Sequence, residues 1–120
     1  VILVDTSAWI GHLRRRDSRL VEFLLQQRVR TCDVVLGELA LGSGLPKEFG
    51  RLLAALPRVP SPNAEETRLF IERHLRSFGG AGVGWADAQI LLAAAKSGAR
   101  LHSSDKPVRR VCAVVGVHLA

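Results

Sequence analysis

The sequence predicts an α/β fold: a three-layer sandwich in which a central, mostly parallel sheet is flanked by helices. Three observations predict it. Short continuous apolar runs, of which residues 1–4 are the clearest, read as strands buried on both faces, as parallel sheets require. Longer segments of helical periodicity separate these runs, with cap chemistry at their starts and glycine or proline at their ends. No internal repeat, low-complexity tract or linker interrupts the alternation, so residues 1–120 read as a single domain, large enough to bury a core without staples.

Residues 1–4 form the first strand, and Asp5-Thr6-Ser7 supply N-cap chemistry for a short helix through Trp9, Ile10 and Leu13. Asp17 or Ser18 caps a second helix, whose face is marked by Leu20, Phe23, Leu24 and Gln27. Residues 29–32 read as a second strand, and Asp33 as the cap of a helix bearing Val35, Leu36, Glu38 and Leu39, ended by Gly42-Ser43-Gly44. Pro46 opens a helix over residues 47–56 that Pro57 stops, and residues 58–60 read as a short edge strand. Asn63 with Glu66 forms a variant capping box, and Leu69, Phe70, Leu75 and Phe78 mark the core side of one long helix. The glycine-rich residues 79–84 cannot hold a stable helix and read as a mobile loop. Residues 85–97 are helical with Gly98 as a left-handed cap, residues 100–103 a strand, 106–112 a last helix and 113–119 a final strand.

Charge and composition narrow the function classes. The net charge is +6 and the pI near 10.6, which favours a polyanionic partner. Arginine greatly exceeds lysine, which suits bidentate phosphate recognition. The run Arg14-Arg15-Arg16 with Arg19 is either a nucleic-acid contact or a solvated helix end. No uninterrupted apolar stretch reaches the roughly 18 residues of a membrane span. The start is too short and too soon acidic for a signal peptide, so an intracellular, cytoplasmic protein is expected. Cys32 and Cys112 lie far apart and read as reduced structural thiols.

Four acids stand out, Asp5, Glu38, Asp87 and Asp105, because each sits in or beside an apolar segment. Burying an ionised carboxylate costs several kcal/mol unless it is paired, hydrogen-bonded or bound to a metal. Asp5 follows the first strand and Asp105 lies just past the strand at residues 100–103, so both belong to the carboxyl rim where such sheets hold ligands. Glu38 and Asp87 have apolar neighbours three and four positions away on their helices, and no basic residue to pair with. Singly, Asp5, Asp87 and Asp105 read as helix caps or first-turn charge. Together, four carboxylates on one rim call for a cation, and hard oxygen donors select Mg²⁺ or Mn²⁺ over zinc. Such a metal beneath a basic surface fits hydrolysis of a phosphodiester.

Four segments, Val4-Asp5-Thr6-Ser7-Ala8-Trp9-Ile10, Val35-Leu36-Gly37-Glu38-Leu39, Trp85-Ala86-Asp87-Ala88-Gln89-Ile90 and Leu101-His102-Ser103-Ser104-Asp105, resemble in order the successive motifs of the PIN-domain ribonucleases. The resemblance spans essentially the whole chain, and its start and size are most similar to the VapC toxins of bacterial toxin–antitoxin pairs. It implies an Mg²⁺- or Mn²⁺-dependent endoribonuclease with Asp5, Glu38, Asp87 and Asp105 as catalytic and metal-binding residues. It also implies an RNA substrate, a cognate antitoxin that holds the enzyme in check, and a homodimer. Ser103 takes the place where the family often has threonine, and so is implied to orient Asp105 or the attacking water. Pro107 stands where some members carry a further Asp, which removes a ligand for a second metal and ranks Asp105 last among the four.

Other residues have two readings each. Thr6 and Ser7 either hydrogen-bond the site carboxylates or cap the helix. Trp9 and Trp85 either stack on RNA bases or pack in the core or at an interface. Lys106 either touches the scissile phosphate or is a solvated lysine. His12, His74, His102 and His118 show no ligand spacing and read as structural or exposed. A receiver domain would need an Asp near mid-chain, and none lies between positions 33 and 87. A DxDxT phosphatase would need a second Asp where Ser7 stands, and no glycine-rich phosphate loop follows the first strand. The remaining rival is a catalytically inactive PIN-like domain that binds RNA or protein.

Overall fold

A computed structural model describes residues 1–42 and 44–120. Its sheet has three parallel strands in the order β2 (Val29–Arg30), β1 (Ile2–Val4), β3 (Arg100–His102). β1 lies at the centre, with Ile2 opposite Val29 on one side and Arg100 on the other. All three residues of β1 are buried, as expected of a strand covered on both faces.

Helices α1 (Thr6–Arg14) and α2 (Ser18–Leu25) cross from β1 to β2. α3 (Asp33–Leu41), α4 (Lys47–Ala55), α5 (Ala64–Arg73), α6 (Leu75–Phe78) and α7 (Trp85–Ser97) then lead to β3, and α8 (Lys106–Val111) follows. α3 packs against α1, α4 and α7, while α7 also packs on α5 and β3. The core joins the sheet residues Ile2, Leu3, Val4 and Leu101 to Trp9, Val35, Ile90 and Leu91.

Several local expectations hold. Asp17 caps α2, Asn63 and Glu66 make the reciprocal capping box of α5, and Gly98 ends α7 with φ 71°. Others are corrected. Cys32 occupies the cap of α3, so Asp33 is its first helical residue. Gln27 lies beyond α2 with φ 57°, exposed in the turn to β2. The strand of residues 29–32 shortens to Val29–Arg30, with Thr31 bridging to Arg58, the one ladder contact made by the edge strand expected at 58–60. The long helix breaks at His74, whose φ of −115° and ψ of 27° start a new axis. Phe70 and Phe78 are buried, but Leu69 and Leu75 are exposed at 48% and 60%. The final strand expected at 113–119 is interrupted: residues 112–116 form a turn in which Gly116 adopts φ 81°, and only Leu119 bridges to Leu101. Ser43, expected to help end α3, lies outside the described residues.

Candidate active site

The site begins where β1 ends. The Asp5 backbone N–H donates to the carbonyl of His102 at 3.1 Å, so the sheet ladder itself fixes this residue beside β3. Its side chain is 3% exposed, and Oδ1 accepts from the Ala8 N–H at 2.9 Å and from the Ser7 hydroxyl at 2.8 Å. Asp5 thus caps α1, one of the two readings its place in the sequence allowed.

Glu38 comes from the middle of α3, held by the packing of α3 on α1. Its Oε1 accepts a 2.6 Å hydrogen bond from the Thr6 hydroxyl at the start of α1. Asp87 stands in the first turn of α7 and turns back, its Oδ2 accepting from the Gly84 N–H at 3.2 Å. The loop before α7 lies against the start of α8: a Cβ on Gly82 would meet Pro107 Cγ at 3.5 Å. Asp105 caps α8 through Oδ1 and the Val108 N–H at 3.1 Å.

Hydroxyl groups tie the first and last of these acids together. Ser7 Oγ, which donates to Asp5, also accepts from the Ser104 N–H at 3.0 Å and lies 3.4 Å from Ser103 Oγ. The buried Ser103 hydroxyl in turn accepts from the Asp105 N–H at 3.1 Å. Ser7 and Ser103 thus join the loop after β1 to the loop after β3.

Among the described residues, each of the four carboxylates engages one oxygen and leaves the other without a hydrogen bond, and none takes part in an ion pair. Their proximity is visible at Asp87. Burial pushes its carboxyl above the ordinary value, the charges of Asp105, Glu38 and Asp5 push in the same direction, and the Gly84 N–H opposes them. Four hard oxygen donors with spare lone pairs and no counter-charge match the donor set of Mg²⁺ or Mn²⁺. They are not a ready-formed ligand shell: no group of three or more His, Cys, Asp or Glu side chains converges to ligating geometry among the described residues. Each carboxylate instead engages a nearby N–H or hydroxyl through one oxygen.

The flanking residues divide. Arg14 ends α1, with Arg15 and Arg16 exposed beyond it, and Lys106 is exposed at the start of α8. A cleft of about 290 Å³ opens beside Glu38, lined by Ile10, Leu13, Arg14, Leu39 and Leu45. Trp9 is fully buried edge-on to Phe49, which removes it from any contact with a base. Trp85 remains exposed.

Two contacts were missed by sequence reasoning. His102 Nε2 lies 2.7 Å from Asp17 Oδ2, and Arg109 donates to the Ser103 carbonyl at 2.9 Å. The first joins positions 85 apart and has no local signal. The second joins positions six apart, and the sequence carries no signal for a side chain that reaches that carbonyl.

Comparison with known proteins agrees with this architecture. A family model described as PIN domain matches residues 2–114. Ribonuclease VapC32 of Mycobacterium tuberculosis, from strains CDC 1551 / Oshkosh and ATCC 25618 / H37Rv, is 42% identical over 122 aligned positions, spanning 100% of this chain and 97% of the relative. The crystal structure of FitAcB from Neisseria gonorrhoeae is similar with a TM-score of 0.62 at 19% identity, over 99% of this chain and 96% of that one. PAE2754 from Pyrobaculum aerophilum is similar with a TM-score of 0.59 at 13% identity, over 96% and 88%. These last two likenesses speak to the fold alone.

Proposed function

We propose, from the premise that this chain belongs to the PIN-domain family, that it is a VapC-like endoribonuclease toxin, a single nuclease domain hydrolysing RNA phosphodiester bonds with a divalent metal. One observation supports the reading most: four carboxylates gather at the sheet rim without a counter-charge, each keeping a free oxygen. When bound, Mg²⁺ or Mn²⁺ would neutralise Asp5, Glu38, Asp87 and Asp105, activate a water and stabilise charge on the leaving oxygen.

The remaining work falls to the chain. Asp5, anchored by Ala8 and Ser7, and Glu38, anchored by Thr6, are held ready by groups that engage only one oxygen of each. Asp87 and Asp105 stand on helix starts, where the positive end of the helix favours their ionised form. Ser103 positions the Asp105 backbone. Arg14, Arg15, Arg16 and Lys106 supply positive charge around the rim for the RNA backbone.

An antitoxin partner fits the same surface. Ile10 and Leu13, large and exposed, line the cleft beside Glu38, so a bound segment there would cover apolar surface and the entrance to the acids together. A second copy of the chain, as a homodimer in the cytoplasm, belongs to the same reading.

The test is cleavage of total cellular RNA by the purified protein, with cut ends mapped in Mg²⁺ and in EDTA, beside Asp87→Asn. Discrete ends in Mg²⁺ that vanish in EDTA and in the variant are expected. Binding of RNA without cutting, or cutting by Asp87→Asn at the parent rate, would overturn the proposal.

A further inference from the structure

The chain has six aromatic residues, two Trp and four Phe. Five are placed in the interior: Trp9, Phe23, Phe70 and Phe78 are buried, and Phe49 is packed edge-on against Trp9. Trp85 is the exception. It is the first residue of α7, 48% exposed, with no aromatic partner among the described residues. A half-exposed indole is costly to leave in water, and nothing in the helix's own packing asks for it, since α7 buries Ala88, Ile90, Leu91 and Leu92 instead.

Its position says what it faces. Trp85 stands two residues before Asp87 at the same helix end, and side chains on a helix lean toward the N-terminus. Trp85 thus begins α7 directly after the glycine-rich loop whose Gly82 lies against Pro107, the residue that follows Lys106 in α8. The indole is open to solvent at 48% exposure, and a Cβ on the preceding Gly84 would also meet nothing within 4 Å. An apolar protein partner finds less here. Leu69, an exposed leucine of α5, shares a pocket with Leu92, which lies about 10 Å further along the α7 axis than Trp85 at 1.5 Å per residue. Trp85 is thus a half-exposed ring that follows a glycine-rich loop and has no aromatic neighbour among the described residues.

We propose that Trp85 is a stacking platform for a base of single-stranded RNA beside the bond that is cut. Every base has a π-face, so such a platform binds without reading sequence, and it orders a flexible strand against the acidic site. The proposal rests on the ribonuclease reading and adds a substrate-binding residue to it.

The experiment uses the full chain with a mixed-sequence RNA 12-mer in Ca²⁺ in place of Mg²⁺, an oxygen-ligated cation that can sit among the same carboxylates, and RNA recovered intact on a gel shows that binding alone is read. Trp85 emission is quenched on binding, over a constant background from buried Trp9. Trp85→Ala and Trp85→Leu weaken binding about tenfold, while Trp85→Phe and Trp85→Tyr retain most of it. The slope of affinity against salt stays unchanged, because stacking releases no counterions. Equal binding by Trp85→Ala and the parent, or equal binding by the Leu and Phe variants, would overturn the proposal. So would a change in sedimentation of Trp85→Ala with RNA affinity intact, which would make the ring part of a protein interface. Failure of the ribonuclease reading is seen separately, as absent or EDTA-resistant cleavage by the parent protein.

Discussion

The Thr6 hydroxyl and the Glu38 carboxylate meet at 2.6 Å, joining the first turn of α1 to the middle of α3 across 32 positions. This is the one hydrogen bond that Glu38 Oε1 makes among the described residues, so it sets where the carboxylate stands. A hydrogen bond to a charged acceptor is worth more than a neutral one, and its loss leaves Glu38 free to swing toward solvent. Thr6→Val, which keeps the shape, is expected to lower kcat/KM about tenfold while costing only about 1 kcal/mol of stability. Thr6→Ser should restore most of the rate. Steady-state kinetics beside thermal melts check this, and a large loss of stability without a rate effect would count against a positioning role.

Ser7 and Ser103 form one network, so their losses should not add. Ser7 Oγ serves Asp5, Ser104 and Ser103, and Ser103 Oγ serves Asp105. The double-mutant cycle Ser7→Ala with Ser103→Ala is expected to show a coupling of about 0.5 kcal/mol or more in stability. Simple additivity by denaturant titration would show the two hydroxyls to be independent.

Local chemistry was legible and distant pairing was not. The four acids, the strand β1, the capping box at Asn63 and the left-handed Gly98 all carry their signal within a few residues. Residues 113–119 misled because Val114, Val115 and Val117 are β-branched and apolar as in a buried strand, yet Gly116 at φ 81° turns the chain. Leu69 and Leu75 misled because the helical period was carried through His74, where the axis changes. The partners of Thr6 and Asp17 could not be read at all, since tertiary packing alone brings Glu38 and His102 to them. The four acids could be singled out in the sequence, but not that each would spend one oxygen on a neighbouring N–H or hydroxyl.

Asp17 and His102 lend the fold a sensitivity to acid at the strand end whose backbone also holds Asp5. Burial alone would raise the Asp17 carboxyl, but the hydrogen bond with His102, the N–H groups of Leu20 and Arg19, and the charge of His102 hold it below 3.8. A depressed carboxyl stabilises the fold fully above its unfolded value, and that contribution is lost as pH falls through the folded value. Asp17→Asn keeps a good helix cap and removes the charge, whereas Asp17→Ala also removes the cap, at a further cost of about 1 kcal/mol. In melts across pH, the deficit of Asp17→Asn against the parent should be full at pH 5 and shrink below 3.8. A deficit that persists unchanged to the lowest pH would mean that the charge is not its source.

Asp87 has the opposite sign. Burial and the charges of Asp105, Glu38 and Asp5 raise its carboxyl, so the ionised form destabilises the folded chain when no cation is bound. Because the folded value lies above the ordinary 3.8, stability declines as pH rises through that window and the penalty is complete at neutral pH. Asp87→Asn removes the charge but keeps an amide oxygen for the Gly84 N–H that Asp87 now satisfies. In EDTA at neutral pH the variant should therefore melt higher than the parent, by on the order of 1 kcal/mol or less, and the gap should close below pH 3.8. Mg²⁺ should reverse the order. A ligand that binds only the folded state stabilises by about 1.4 kcal/mol at ten times its dissociation constant, and the parent, with all four carboxylates, gains more of this than the variant. If Mg²⁺ raised both melting temperatures equally, Asp87 would not be among the groups that hold the cation. If the variant melted lower than the parent in EDTA, the repulsion among the four acids would be too weak to require one.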